Sequence, residues 1–413
     1  IPAWCTGMML LIIPYFWLLW GSILSHTSGL AFTAIMLWAY LAWTQDRKLG
    51  YAIIAGLAWA GLSLNRSYTA LWIALPFAVD ALIRLSQNRN WHQLSGTVLF
   101  AACAGLGVIL DLVYHYLLTG DPLLPPFLYY NPSEGPGFHM VNGHEHTAAI
   151  GLEFLRNNIS ELNTSLWGFP GSLLLWLGLV LFGWRRDLSP LLLASTFLVW
   201  ISYIAFWFPG IRELPSIYYY ETLPFMLLAA GLGLQRLGSL PGRTPRWNTL
   251  LVGVLLLGVI LPAALHTFLE KAHSISKRTD YTHKFQQVIH DVPPGAIVIL
   301  RGLHKDILAH NSWNPHGLQS QPLIIRDVHG VVPLIPRLFP ERPAYLVSGH
   351  TPAPARPFPL PAQPEIIREI TASETHARTG SYQVSATPPL HTAEAPVDSE
   401  GRMAFGVKQY LPP

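Results

Sequence analysis

For its first 267 residues the chain alternates long apolar runs with short polar breaks. Crossing a bilayer as a helix takes roughly 17 to 25 mostly apolar residues. The pattern predicts nine such segments, at 7–24, 28–44, 51–64, 69–85, 94–118, 166–183, 189–208, 216–235 and 248–267. The first is interrupted and the third is short. Short or broken helices are tolerated beside a protein-lined cavity, so 51–64 has a re-entrant alternative. Beyond 267 the pattern changes. AIVIL (296–300), PLIIRD (322–327) and PAYLVSG (343–349) read as buried strands. VVPLIPRLF reads as a short helix interrupted by prolines, and the proline-rich 351–364 as extended chain. The last forty residues read as a few more strands or loose chain. The expected fold is an all-α polytopic membrane domain over 1–267, followed by a small α/β domain over 268–413.

Composition strengthens the membrane assignment. Charged residues make up 12% of the 413, hydrophobic residues 51%, and mean hydropathy is +0.33. A soluble domain carries roughly 25% charged residues. The 15 tryptophans suit membrane interfaces. A net charge of +3 gives no electrostatic footprint for nucleic acid. Cys5 and Cys103 lie within apolar runs and provide neither a disulfide framework nor a thiolate metal site. Charge distribution supplies orientation. The breaks 45–50, 84–93, 184–188 and 235–247 carry Arg47, Lys48, Arg84, Arg89, Arg185, Arg186, Arg236, Arg243 and Arg246, while the opposite breaks carry Arg66, Arg156 and Arg212. The positive-inside rule makes the first group cytoplasmic, and nine crossings put the C-terminal domain outside.

The ionisable groups gather on the expected outer side. Ser25 and His26 lie between the first two helices, Asn65 and Arg66 after the third, Asp111 and His115 near the end of the fifth, and Asp121 just beyond. Tyr218, Tyr219, Tyr220 and Glu221 open the eighth. Arg66 reads as an interfacial cation or as a phosphate clamp, for which its forked donors and permanent charge are suited. Asp111 is buried within a predicted span, where carboxylates are costly and usually functional; His115, four residues on, offers mutual neutralisation instead. Asp80 and Arg84, also four apart, read as a structural pair. The outer loop 119–165 holds GFHMVNGHEHT (137–147), with an interfacial helix expected at 159–171. An HxH spacing, here His144 and His146 around Glu145, is weak evidence for a metal. Substrate hydrogen bonding is the favoured role, with Gly137 and Gly143 letting the loop bend as a lid.

These stretches together resemble membrane glycosyltransferases of the GT-C fold, specifically RgtA/B/C/D-like proteins related to the dolichyl-phosphate-mannose protein mannosyltransferases. The resemblance rests on SHTSGLAFTAIMLWAYLAW (25–43), GLAWAGLSLNRSYTALWIALPFAV (56–79), YHYLLTGDPLLPPFLYY (114–130), GF…GHEHT…GL (137–152), SLWGFPG (165–171) and YYYETLPFMLLAAGL (218–232), in that order and spacing. It implies an inverting sugar transfer from a polyprenyl phosphate to a glycan, lipid or protein acceptor, at the outer face of a bacterial cytoplasmic membrane. A carboxylate would be the general base, and basic groups would steady the departing phosphate. Some members use a divalent cation and others do not. Arg66 matches the family's arginine at the outer end of this helix, although Ser67 follows where proline is common. Donor and substrate contacts are expected from Arg66, His26, His115, Tyr218, Tyr220, His144, Glu145 and His146. The family's catalytic acid sits in the first outer loop, which is expected to lie upstream of Ile1. Asp111, Asp121 and Glu221 are then supporting acids, and the chain alone is expected not to turn over. A lipid-linked glycan transporter and a non-catalytic membrane scaffold are the alternatives.

Overall fold

The computed structural model describes residues 7, 9–20, 25–87, 90–130, 132–141, 144–210, 216–240, 247, 250, 252–293, 295–301, 322–326, 335, 339–348, 356–357, 367–371 and 383–386. The chain divides into two compact units. One comprises Ile1–Leu128, Glu134–Val141 and Glu145–His273; the other comprises Tyr129–Ser133, Asn142–His144 and Ser274–Pro413.

The first unit is a helical bundle. Its helices are α1 (Pro14–Trp20), α2 (His26–Asp46), α3 (Leu49–Gln87), α4 (Trp91–Thr119), α5 (Pro126–Tyr130), α6 (Ala148–Ser165), α7 (Ser172–Phe182), α8 (Ser189–Ser202), α9 (Leu223–Leu237) and α10 (Leu261–His290). Among the described residues three stretches are long and apolar enough to cross a membrane: Leu49–Gln87, Trp91–Thr119 and Val254–Lys277. They mark the chain as a membrane protein. The outside of the bundle agrees. Along α4 only Gly96, Phe100 and Gly107 are buried, while Val98, Ile109, Val113 and Leu117 face outward. Such an apolar exterior suits lipid rather than water.

The expected segments 51–64 and 69–85 are joined in α3, whose regularity breaks at Arg66 (φ −151°, ψ 71°). The helix reverses there. Trp59 Nε1 donates to the Ala70 carbonyl at 2.9 Å, although eleven residues span about 16 Å along a straight helix. Contacts on both flanks agree. The first arm runs antiparallel to α2, with a β-carbon on Gly61 meeting Phe32 and Asn65 bonded to Ser25. The second arm runs alongside α2 in the same direction, with Tyr40 bonded to Asp80. Gly56 packs on Phe100 and Cys103, and Gly107 on Ala60, so no larger residue fits at this crossing. The remaining helices alternate in the same way. Tyr68 at the reversal bonds to the Ser202 carbonyl at the end of α8, and Arg236 near the end of α9 bonds to the Phe182 carbonyl at the end of α7.

This alternation sorts the charges. Arg47, Lys48, Arg84, Arg185, Arg186 and Arg236 lie at one end of the bundle, and Arg66, Arg156 and Lys271, which pairs with Glu161 of α6, at the other. Arg89, Arg212, Arg243 and Arg246 lie outside the described residues. At the arginine-rich end, Arg84 pairs with Asp80 at 2.6 Å while Tyr40 bonds to the same carboxylate oxygen, giving the structural pair the spacing predicts. Arg185 donates to Asp187 from Nε and Nη2, and these bonds hold the Asp187 carboxyl below its ordinary value.

Several boundaries differ from the sequence expectations. Helix α6 covers 148–165, upstream of the interfacial helix expected at 159–171. It starts at Thr147, whose side chain accepts from the Ile150 N–H and so caps the first turn. Helices α7 and α8 have 11 and 14 residues. At 1.5 Å per residue they reach about 17 and 21 Å, short of a hydrocarbon core of about 30 Å. The last apolar segment does not stop at 267 but continues through α10 to His290, and the division between units falls inside that helix at His273.

In the second unit the three predicted strands are present as β3 (Ile297–Arg301), β4 (Leu323–Arg326) and β5 (Ala344–Ser348). The preceding short pairs Met140–Val141 and His144–Glu145 are β1 and β2. Strand β3 is central and parallel to both β4 and β5, and β6 (Arg356–Pro357) adds antiparallel to β5. Ile297, Ile299, Leu323 and Ile335 form its core. The near-continuous Ile, Val and Leu runs are what a parallel sheet covered on both faces requires. A further antiparallel pair joins β7 (Ile367–Thr371) to β8 (Gln383–Ala386). Except for Ile335, the helix expected from VVPLIPRLF lies largely outside the described residues, as does the proline-rich segment apart from β6.

Candidate functional site

The reversal of α3 lifts Arg66 out of helical geometry at the end of the bundle poor in cations. Three other elements converge on it. His26 opens α2, Tyr203 follows α8, and Tyr218 and Glu221 lie in the turn of 3₁₀ helix Ile217–Thr222 that leads into α9. Glu221 is fully buried, and its Oε1 lies 2.9 Å from both His26 Nδ1 and Arg66 Nε. Gly29, one turn along α2 from His26, makes room for this carboxylate, since a β-carbon there would meet Glu221 Oε1 at 2.9 Å. Arg66 Nη1 lies 3.0 Å from His26 Nε2 and 3.3 Å from Ser25 Oγ; Nη2 donates to Tyr203 Oη at 3.0 Å. The Nε–H points to Thr69 Oγ1 at 3.4 Å, and Thr69 in turn bonds to Tyr203 at 2.6 Å. The Tyr218 ring stacks on Tyr203 and lies under the guanidinium at 5.6 Å.

Hydrogen-bond chemistry fixes the protonation of His26. Arginine only donates, so His26 Nε2 must accept from Arg66 Nη1. Its proton is therefore on Nδ1 and is donated to Glu221. Arg66 and Glu221 cancel, and the cluster is neutral. Of the five guanidinium N–H groups, four face Thr69, His26, Ser25 and Tyr203; one Nη2–H remains. The other carboxylate oxygen, Glu221 Oε2, is buried with no hydrogen-bond partner among the described residues. Arg66 is 14% exposed and is the accessible member of the pair, while Glu221 is sealed behind it. Glu221 is thus placed to position Arg66 rather than to touch a substrate hydroxyl.

A second polar group stands beside the first. Ser67 Oγ donates to Asp111 Oδ2 at 3.0 Å, joining the α3 reversal to α4. His115 Nε2 lies 3.5 Å from Asp111 Oδ1, and its Nδ1 lies 3.2 Å from the Pro122 carbonyl. Asp111 keeps 17% of its side chain exposed, so unlike Glu221 it retains access.

Other expected site residues are placed elsewhere. Tyr220 points away from Arg66, donating to the Phe16 carbonyl and meeting Tyr15 edge-on. Asp121 accepts from the Leu123 N–H in an exposed turn. His146 is a buried strut whose Nε2 meets the Ile204 carbonyl while its ring stacks on Phe154. Its N–H donates to the His139 carbonyl. Glu145 is exposed, and His144 is described by its backbone in β2. Gly137 bonds to the Ala205 carbonyl, and Gly143 lies outside the described residues. Gly137 and His146, near the two ends of the GFHMVNGHEHT stretch, are therefore docked on residues 204–205, next to Tyr203. Tyr203 and Thr69 were not anticipated, because both sit inside apolar runs. The Ser202–Tyr203 pair at the end of one such run was the available signal.

Among the described residues no group of three or more His, Cys, Asp or Glu converges for a metal ion. An apolar groove lined by Leu82, Leu85, Ser86, Asn90, Trp91 and Leu94 lies at the arginine-rich end, remote from this chemistry. Comparison of the chain with protein-family models, curated proteins and solved structures finds no match.

Proposed function

We propose that this chain is a GT-C-type membrane glycosyltransferase that moves a sugar from a polyprenyl phosphate to an acceptor at the outer face of a bacterial cytoplasmic membrane. One observation carries this reading. A single arginine is held by side chains from three other elements at a helix reversal, at the bundle end where other cations are scarce. Permanent charge in a preorganised, partly dry setting suits negative charge developing on a departing phosphate. The free Nη2–H and the long contact to Ser25 are the positions a phosphate oxygen would take. Asp111 is the nearby acid that retains access. A transporter would place its polar groups near the midplane in matching broken helices; here they gather at one end.

The test is sugar transfer by the protein expressed from its complete gene, in membranes supplied with a labelled polyprenyl-phosphate sugar. Arg66→Lys keeps the charge but cannot reach four partners in different directions. Transfer is expected to fall on the order of 100-fold with the protein still folded; transfer at the wild-type rate would remove Arg66 from the reaction. Orientation is checked separately. In a background lacking Cys5 and Cys103, an impermeant thiol reagent on intact cells is expected to label Leu123→Cys and not Gln87→Cys. The reverse pattern would invert the topology.

A further inference from the structure

The neutral cluster around Arg66 raises a charge problem that the phosphate reading does not answer. Arg66 and Glu221 already cancel, and His26 carries its proton on Nδ1. An anion settling on Arg66 would leave the buried group with a net negative charge, and uncompensated charge in a dry interior is expensive. One atom can relieve this. Glu221 Oε2 is buried and has no hydrogen-bond partner among the described residues, whereas Oε1 serves both His26 and Arg66. Both nitrogens of His26 are engaged. A proton arriving from water would therefore go to Oε2. It would neutralise the carboxylate, leave Oε1 free to accept from His26, and unbalance Arg66 in favour of the anion.

We infer that the Arg66 site takes up its phosphate anion together with one proton, carried by Glu221. This rests on the phosphate reading above and adds its regulation by pH. The groups facing Glu221 and His26 are Arg66 from α3, Tyr218 and Tyr220 from the turn before α9, Tyr15 from α1 and Tyr203 after α8. Of these only Arg66 is charged, so the Glu221 carboxylate is the group through which the cluster changes its net charge; Glu134, a second carboxylate, acts on the Tyr218 ring, and the Glu221→Gln variant tells the two apart. Glu221 acts here as a positioning and charge-setting residue, without contacting the substrate.

The experiment uses a short prenyl phosphodiester sugar, whose single charge stays constant from about pH 5.5 to 8.5. Its binding to the whole chain in nanodiscs is followed by calorimetry in two buffers of different ionisation heat. Wild-type protein is expected to take up one proton per probe, with Kd rising up to about tenfold per pH unit at the upper end of the range. Glu221→Gln, which imitates the protonated acid, is expected to bind with a flat pH profile and uptake near zero. Probe binding with no proton uptake by the wild type would overturn the linkage and leave the phosphate reading standing, and so would a Glu221→Gln protein that keeps the wild-type slope. No binding at any pH would overturn both. The two-buffer comparison needs only wild-type protein, so the proposal stands or falls even if the variant does not fold.

Discussion

Glu221→Leu is expected to destabilise the bundle by roughly 3–5 kcal/mol, the usual cost of breaking a buried ion pair on one side. The leucine would leave the Arg66 charge and the His26 Nδ1–H facing an apolar side chain in a site where Glu221 is fully buried. Thermal unfolding in detergent should shift downward on the order of 10 °C. The double variant Glu221→Leu/Arg66→Met removes both charges and should recover most of that loss, because an apolar pair of similar volume is often no less stable than the ions it replaces. A single variant as stable as wild type would mean that the pair is not formed. A double variant no better than the single one would mean that packing, not charge, holds this place. The two outcomes separate stability from function, since the double variant would be stable yet without a cation for the phosphate.

How much of this was legible in the sequence depended on the kind of signal. Strands β3, β4 and β5 were legible because short unbroken apolar runs (AIVIL, LII and AYLV) between polar breaks have few other uses. Arg66, His26 and Glu221 were legible as a set because each lies where an apolar run ends, and adjacent runs reverse direction. The reversal of α3 at a single residue was not legible, since 51–64 and 69–85 looked like separate segments with a loop between. The first part of helix α6, ahead of the helix expected at 159–171, was missed because it is not a continuous apolar run; its signal was Thr147 as a cap, not hydropathy. The three tyrosines before Glu221 show a different limit. In a 3₁₀ turn successive side chains diverge by about 120°, so Tyr218 meets Arg66, Tyr219 stacks on Trp200, and Tyr220 reaches Phe16. Tyr218 and Tyr220 shared one expected role, and the helix type separates them.

The turn that joins α6 to α7 supplies the second large effect. Gly168 and Gly171 both adopt left-handed backbone, at φ +84° and +95°, so either one changed to alanine carries the cost of placing a β-carbon there, roughly 1–2 kcal/mol. Their surroundings differ. A β-carbon on Gly171 would meet nothing, while one on Gly168 would collide with the backbone of Ala263 and Ala264. The Gly168 carbonyl also accepts from Thr267 at 2.8 Å, which fastens the last apolar helix to this turn. Gly168→Ala is therefore expected to cost roughly 3 kcal/mol or more, adding overpacking to backbone strain, and Gly171→Ala only the strain. Unfolding midpoints of the two variants measure the difference directly. Protease sensitivity should follow it, rising near Ala263 for Gly168→Ala alone. Equal destabilisation by the two alanines would show that the helix carrying Ala263 does not rest on the turn, and that the start of α10 is held by something other than this contact.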